Sequence, residues 1–335
     1  MAITGKPVKE LEGITPASIN ENILSSPIPL VLRGYAEDWP AVKVSGQSSA
    51  AALSYIEERY ARVPVTTCLL PAKERGRIFY NEAMNGFNFS ANLESFHTFS
   101  KMLLNEEDSS NPRGVYMPST DADKWFPGVV SENNAGLDEL DPIKLIWIGN
   151  KTQVAAHYDF TSNLACCLCG RRKFTLFPPE QINNLYPGPL EFAPGGQEIS
   201  LVDFQQPDFR RFPRFKVAIE SAQTVILSPG DALFLPGMWW HHVEGLDAVN
   251  VLYTHWWRES PAYYGRPSNA LLHAVLGLSG LSSSQRKAWR SIFDYYVFND
   301  EESEPPASAL GFFKGAINEE QARQLKQLLT DRLKK

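Results

Sequence analysis

The sequence predicts a mainly β protein with flanking helices, because the chain divides into three stretches with different secondary-structure signals. Short β-rich runs separated by Gly, Pro, Asn and Asp fill residues 144–258, which is typical of an antiparallel sandwich or barrel. Residues 1–130 mix helix and strand signals, and residues 261–335 turn helical. We therefore expect mixed α/β elements over 1–130 packing on a β core over 131–260, followed by a helical region over 261–335.

The N-terminal stretch predicts one strand and two helices. The apolar run 29–33, closed by Gly34, indicates a strand and turn. Residues 50–60 and 93–104 carry apolar side chains at helical spacing.

Residues 131–260 are predicted to form a series of short strands that are separated by turns. They are expected at residues 145–148, 174–177, 224–227, 232–235 and 249–253. Between two of them, Ser228-Pro229-Gly230-Asp231 is typical of a tight turn.

The C-terminal stretch predicts helices over 284–297 and 318–333, the second with Asn318 as its N-cap. An apolar stripe runs along this last helix through Ala322, Leu325, Leu328, Leu329 and Leu333. The stripe either packs on its own domain or pairs two subunits, so a homodimer through the C-terminal helices is one expectation.

Composition disfavours two classes of partner. Lys plus Arg number 32 and Asp plus Glu 38, and this net charge of −6 argues against nucleic acid and against an anionic membrane surface. No apolar run approaches the roughly 18 residues of a membrane span. The polar N-terminus is not typical of a secretory signal, and the cysteines do not suggest a disulfide framework. A cytoplasmic protein is expected.

Three side chains form a candidate metal site. His157 and Asp159 follow a strand and should project from the same face. A third ligand is available at His241 or His242, which lie on opposite faces of any strand, and the alternation leaves the choice open. Two imidazoles and one carboxylate are the facial triad of non-haem Fe(II), with three open coordination positions.

These residues belong to a longer series of motifs. Four segments occur in order, namely His157-Tyr158-Asp159, GRRKFTLFPP at 170–179, SPGD at 228–231 and PGMWWHHV at 236–243. Together they resemble the cupin-like JmjC oxygenases, close to the asparaginyl hydroxylases of that family. The upstream VLRG at 31–34 and DWP at 38–40 look like the family's N-terminal strand and loop, so the resemblance covers roughly residues 26–260.

The resemblance implies a double-stranded β-helix, the jelly-roll or cupin core, which holds Fe(II) and uses 2-oxoglutarate as cosubstrate. His157, Asp159 and His241 would be the metal ligands of the catalytic centre, and His242 would point away. Arg172 matches the basic residue that binds the far carboxylate of 2-oxoglutarate, where Arg suits a bidentate contact. The alternative interpretation is that Arg172 is a charged residue on the surface, like its neighbours Arg171 and Lys173.

Two further residues match cosubstrate-pocket positions of the family. Asn163 would lie near the cosubstrate and Trp256 would line the pocket, although a strand-end hydrogen bonder and a core aromatic are equally good interpretations. Val154 and Thr254 depart from the family, which often has Thr or Ser and commonly Asn at these positions. The pocket is therefore expected to be rearranged, with Arg172 carrying more of the binding.

The implied activity is hydroxylation of a substrate with release of succinate and CO2. The likeness to asparaginyl hydroxylases favours a protein side chain, and a small molecule is the other candidate substrate. The alternative is a cupin that binds a metal or ligand without turnover, to which Val154 lends weight.

Overall fold

The computed structural model describes residues 3–298 and 317–334, and it divides the chain into two units, residues 1–257 and 258–335. The predicted boundaries at 130/131 and 260/261 stay predictions.

The first unit contains fifteen strands within the described residues. They are β1 Lys6–Pro7, β2 Lys9–Leu11, β3 Leu30–Leu32, β4 Val65–Leu70, β5 Arg77–Ile78, β6 Ser90–Glu94, β7 Gly114–Asp121, β8 Ile143–Gly149, β9 Gln153–His157, β10 Ser162–Cys169, β11 Arg172–Phe177, β12 Gln223–Leu227, β13 Ala232–Leu235, β14 Trp240–Gly245 and β15 Asn250–Trp257.

These strands form two sheets. One has six strands in the order β1-β12-β11-β14-β9-β5, and the other has nine in the order β2-β3-β13-β10-β15-β8-β7-β4-β6. From β8 to β15 the chain crosses between the two sheets at almost every step, which is the winding of a double-stranded β-helix. The predicted mainly β jelly-roll core is confirmed.

The three largest apolar clusters of the described residues lie between the sheets and on their outer faces. Phe174, Leu176 and Val243 of the six-stranded sheet share one cluster with Leu233 and Leu252 of the nine-stranded sheet, so this cluster fills the interior between them. A second cluster lies on the outer face of the nine-stranded sheet. A third packs helical and loop residues on the outer face of the six-stranded sheet. Because strand residues alternate between faces, these clusters identify which side chains point inward.

The helices of the first unit connect and cover the strands. They are α1 Glu21–Leu24, α2 Pro40–Ser45, α3 Ser49–Glu58, α4 Phe96–Asn105, α5 Ala122–Trp125, α6 Pro127–Glu132, α7 Ile182–Leu185 and α8 Phe215–Ser221, with 3-10 turns at Ala72–Glu74, Asp138–Leu140 and Pro179–Gln181.

The helix predicted over 93–104 is shorter than expected. Ser95 caps α4 by accepting a hydrogen bond from the Thr98 amide, so the helix begins at Phe96. Leu93 belongs instead to β6 and is exposed. A capping serine therefore decides the boundary that apolar spacing misplaced.

The second unit is helical where it is described. It contains a 3-10 turn at Ala262–Tyr264, α9 Pro267–Leu278, α10 Ser283–Phe293, a π-helical turn at Asp294–Phe298 and α11 Glu319–Leu333. Asn318 caps α11 as predicted, in a reciprocal capping box with Gln321. Across the described residues, no helix combines the length and apolar character needed to cross a bilayer.

Candidate metal centre

Two neighbouring strands of the six-stranded sheet bring His157 and His241 together. His157 ends β9, His241 lies on β14, and the two residues are direct partners in the antiparallel pairing. Their ring centroids are 4.2 Å apart. The third member of the candidate site comes from the loop that follows β9.

Asp159 reaches the histidines from beyond the end of its strand. Because β9 ends at His157, strand alternation is not what aligns the two side chains, contrary to our argument from the sequence. A hydrogen bond of 2.6 Å from the Met238 amide to the Asp159 carbonyl holds the loop beside the segment that leads into β14. Asp159 Oδ2 lies 3.5 Å from His241 Nε2.

His157, Asp159 and His241 therefore form one compact cluster, which we call the triad. One donor atom from each lies within 4.8 Å of the others. Within residues 3–298 and 317–334, no other group of three His, Cys, Asp or Glu residues meets this criterion.

Both histidines are prepared to bind a metal through Nε2. His157 Nδ1 lies 2.9 Å from the Ala155 carbonyl, and His241 Nδ1 lies 3.0 Å from the Trp239 carbonyl. Since a carbonyl oxygen only accepts hydrogen bonds, Nδ1 carries a proton in both rings, and Nε2 is the nitrogen left to bind a metal. Burial, reinforced by neighbouring His157, holds the pKa of His241 well below its ordinary value, so this ring is neutral near pH 7.

Asp159 is buried with one oxygen satisfied and one not. Oδ1 accepts a hydrogen bond of 2.9 Å from Gln197 Nε2, whereas the buried Oδ2 has no hydrogen-bond partner. Burial raises the pKa of this carboxyl, and His157 opposes that shift. An orphaned carboxylate oxygen beside two imidazole Nε2 atoms is the donor set of a divalent cation, so these residues fit a metal ion.

His242 lies on the other face of β14. Its ring packs on Phe204, with centroids 4.7 Å apart, and its Nε2 lies 3.9 Å from a carboxylate oxygen of Glu244. Burial lowers the pKa of His242 to about 4. Of the two adjacent histidines, His241 is thus the one beside the other triad members.

Arg172 is a buried cation at the start of β11. Its side chain faces the interior, on the same side as Phe174 and Leu176. One terminal nitrogen donates to the carbonyls of Trp147 at 3.1 Å and Asn250 at 3.3 Å, and Nε has no partner.

No ion pair involving Arg172 occurs among the described residues, so the guanidinium faces no protein carboxylate. Burial lowers the pKa of this guanidinium from its ordinary value. A buried, half-satisfied cation is expensive to maintain, and an anionic ligand would compensate that cost.

Asn163 and Trp256 lie opposite each other on β10 and β15. Asn163 Oδ1 and Trp256 Nε1 are both buried and lack hydrogen-bond partners. Both residues share the parity of interior side chains on their strands, Ala165 and Leu252. The inner face of the barrel therefore carries unsatisfied polar atoms on Asp159, Arg172, Asn163 and Trp256.

The two departures from the family pattern also lie on this inner face. Val154 pairs with Val243 and packs against the interior cluster. The Thr254 hydroxyl accepts a hydrogen bond of 2.9 Å from Trp147 Nε1 and donates to the Leu145 carbonyl at 3.3 Å. Thr254 is therefore committed to protein contacts.

Sequence reasoning missed Gln197 and Trp147. Gln197 comes from a loop without periodic pattern, so no local signal connects it to Asp159. Trp147 lies within the predicted strand 145–148, and its contact with Trp256, at 6.0 Å between ring centroids, is across the sheet. Strand parity alone could have marked Trp147 as a side chain facing the interior.

Comparison with known proteins agrees with this architecture. A family model described as a cupin-like domain matches residues 16–263, about three quarters of the chain. The chain belongs to the cupin-like domain family. The JmjC-type resemblance read from the motifs is thereby confirmed.

Named relatives of this cupin-like protein are distant in sequence. Lysine-specific demethylase JMJ31 of Arabidopsis thaliana is 24% identical over 277 residues, covering 74% of this chain and 49% of that protein. HSPB1-associated protein 1 of Bos taurus is 26% identical over 253 residues, covering 74% and 52%. Lysine-specific demethylase 8 of Xenopus tropicalis is 27% identical over 236 residues, covering 68% and 48%. The chain thus spans about half the length of these relatives.

Proposed function

We propose that this cupin-like protein is an Fe(II)- and 2-oxoglutarate-dependent oxygenase that hydroxylates a protein side chain. The observation that carries the proposal is a pair of unsatisfied groups inside one barrel. The triad offers a metal an orphaned carboxylate oxygen, and Arg172 offers a buried positive charge without a carboxylate partner.

His157, Asp159 and His241 would hold Fe(II), which, with 2-oxoglutarate and dioxygen, supplies the oxidising power for hydroxylation. The chain itself contributes geometry and a dry interior. The Ala155 and Trp239 carbonyls fix the imidazole tautomers, so both Nε2 atoms are ready to bind. Apolar side chains such as Leu176 and Leu235 exclude water around the site.

Arg172 would bind the far carboxylate of 2-oxoglutarate. Its free Nε and the positive charge suit a charge-assisted contact with a carboxylate. Asn163 and Trp256 would complete the pocket, since each has a buried polar atom without a protein partner. Thr254 is already bonded, which supports the expectation that Arg172 carries more of the cosubstrate binding.

A protein substrate is supported by the relatives named as lysine-specific demethylases. Phe160 follows Asp159 in the chain and the Met238 amide donates to the Asp159 carbonyl, and these two apolar side chains are 37% and 44% exposed. They would contact an apolar part of the substrate. A small molecule is the second candidate substrate.

The competing function is a cupin module that binds a metal or ligand without turnover. Val154 supports it, because an aliphatic side chain faces the interior where the family often has a hydroxyl that contacts the cosubstrate.

Isotope incorporation separates the two functions. The full chain is incubated with Fe(II), 2-oxoglutarate and a protein extract under ¹⁸O₂, and peptides that gain one ¹⁸O atom are sought by mass spectrometry alongside succinate. If the protein is an oxygenase, labelled peptides and succinate are expected with the parent protein, and neither is expected with Asp159→Ala. Bound metal without succinate, in every extract fraction, would instead support the binding module.

The setting and assembly of the protein are part of the proposal. All four cysteines are free thiols, which supports the cytoplasm. Within the second unit, Leu272 and Leu276 on α9 and Trp289 and Ile292 on α10 are exposed, which supports a homodimer through the C-terminal helices. Sedimentation at several concentrations should reveal a dimer, and a monomer at every concentration would refute it.

A further inference from the structure

A loop outside the strands contacts the segment that carries two of the triad residues. Residues 186–201, which we call the cover loop, run alongside residues 156–159. The Ser200 amide donates to the Ala156 carbonyl at 2.7 Å, and within the loop Gly188 and Leu201 donate to the Ile199 and Tyr186 carbonyls. The cover loop therefore has a defined position next to the metal centre.

Two adjacent residues of the cover loop contact the ligand segment through their side chains. Gln197 Nε2 donates to Asp159 Oδ1 at 2.9 Å, and the Tyr158 hydroxyl donates to Glu198 Oε1 at 2.6 Å. Glu198 is only 7% exposed, so its partner is fixed rather than exchanged with water. Tyr158 in turn packs edge-on against Trp240, at 5.0 Å between centroids. The contacts of the neighbouring Glu198 thus keep Gln197 next to Asp159.

The hydrogen bond from Gln197 divides the two oxygens of Asp159 between different partners. Oδ1 is occupied by the amide, and Oδ2 faces His241 Nε2 at 3.5 Å with no hydrogen bond. We propose that Gln197 is a positioning residue that restricts Asp159 to one metal bond, through Oδ2. This inference rests on the proposed function of the same site.

The count of coordination positions explains why this restriction matters. Three protein donors on a six-coordinate metal would leave three positions, enough for a chelating cosubstrate and dioxygen. A carboxylate that bound through both oxygens would take a fourth position. Gln197 prevents that by keeping Oδ1 hydrogen-bonded, so the cosubstrate and dioxygen do not compete with the protein.

The test uses Co(II) in place of iron, so that binding is read without turnover. The full chain and Gln197→Leu are loaded with Co(II), their visible spectra are recorded, and 2-oxoglutarate is titrated into each. Gln205→Leu is the matched control, because Gln205 makes a 3.4 Å contact with Glu244 on the outer face of the sheet. Gln197→Ala repeats the test with a smaller side chain, and thermal melting checks that each variant is folded.

We expect Gln197→Leu to bind Co(II) with an altered spectrum and to show about a tenfold higher Kd for 2-oxoglutarate, in the range typical for partners of metal ligands. Gln205→Leu should match the parent. An unchanged spectrum, or a cosubstrate Kd within about twofold of the parent, would overturn the assignment. If the parent binds Co(II) but not 2-oxoglutarate, the proposed function fails, whereas the spectral comparison still tests Gln197.

Discussion

Adjacent residues on one strand of the six-stranded sheet have different surroundings, depending on whether they point to its inner or its outer face. On β11, Lys173 points outward and lies 3.3 Å from a carboxylate oxygen of Glu244, whereas Arg172 points inward and faces no carboxylate. On β14, His242 packs outward against an aromatic ring, whereas His241 faces inward as part of the triad.

The difference indicates where a ligand is expected. A buried charge or polar atom without a partner costs free energy, so a fold accumulates such groups on one face only where something else compensates them. On the outer face the charged Lys173 is paired with Glu244, although the uncharged ring of His242 has no hydrogen bond there. The inner face leaves Asp159, Arg172, Asn163 and Trp256 incomplete, which is the arrangement of a binding site.

The largest expected effect comes from the anionic member of the triad. Asp159→Ala removes the proposed carboxylate ligand, so we expect metal-dependent succinate formation to fall by a factor of about 100 or more, because the metal would lose its one anionic protein ligand. Metal retention after desalting should fall in parallel. Succinate formation at the parental rate would mean that the metal binds elsewhere.

Arg172 and Lys173 provide a matched pair across the sheet. Arg172→Met removes the inward charge, and we expect the 2-oxoglutarate requirement to rise about 10- to 100-fold, the equivalent of one charged hydrogen-bonding contact. Lys173→Met removes a charge on the outer face, so its requirement should stay within about twofold of the parent. Equal effects of the two variants in a cosubstrate titration would contradict the proposal that Arg172 binds the far carboxylate of 2-oxoglutarate.

His255, a buried histidine of the nine-stranded sheet, is tested through stability. His255 is buried on the outer side of the nine-stranded sheet beside Tyr253, and burial lowers its pKa to about 4. The unfolded chain, with a histidine pKa near 6.5, binds the proton more readily. The stability contribution is therefore complete above about pH 6.5 and is lost as the pH falls toward 4, by about 3 kcal/mol.

His255→Gln should flatten this part of the pH profile. Urea unfolding at several values between pH 7 and 4 measures the free energy of unfolding for both proteins. Metal binding at pH 7 should be unchanged, because His255 is outside the triad. Parallel pH profiles for parent and variant would show that His255 is not the titrating group.

The smallest effect is expected at His242. His242→Leu replaces a ring whose two nitrogens have no hydrogen bonds by an apolar side chain against Phe204. Metal affinity should stay within about twofold, whereas His241→Leu should abolish binding. A large loss of metal in His242→Leu would reverse the assignment of the two histidines.

The core strands follow from the sequence because alternation and turn residues are local signals. Residues 232–235 were expected as a strand, and β13 has these bounds. β10 is not among the runs expected as strands, and all eight of its residues are buried. Edge strands such as β5, with two residues, depend on pairing partners that no local pattern specifies.

The candidate site follows from the sequence only in part. The motifs named His157, Asp159 and His241, but they did not say that Asp159 would lie beyond the strand or that Gln197 would hold one of its oxygens. Both features depend on the course of a long loop, and loop contacts are tertiary. Likewise, the sequence leaves open whether Arg172 binds 2-oxoglutarate or is a surface charge. Its burial depends on how the strands close into a barrel, which no local pattern specifies.

The central claim is that a metal at the triad and 2-oxoglutarate at Arg172 occupy one site, and anaerobic spectroscopy tests it most directly. The full chain is reconstituted with Fe(II), 2-oxoglutarate is added without oxygen, and the visible spectrum is recorded. We predict a weak metal-to-ligand charge-transfer band that is absent in His157→Ala and Asp159→Ala. Bound Fe(II) with no such band in the parent protein would contradict chelation at the triad.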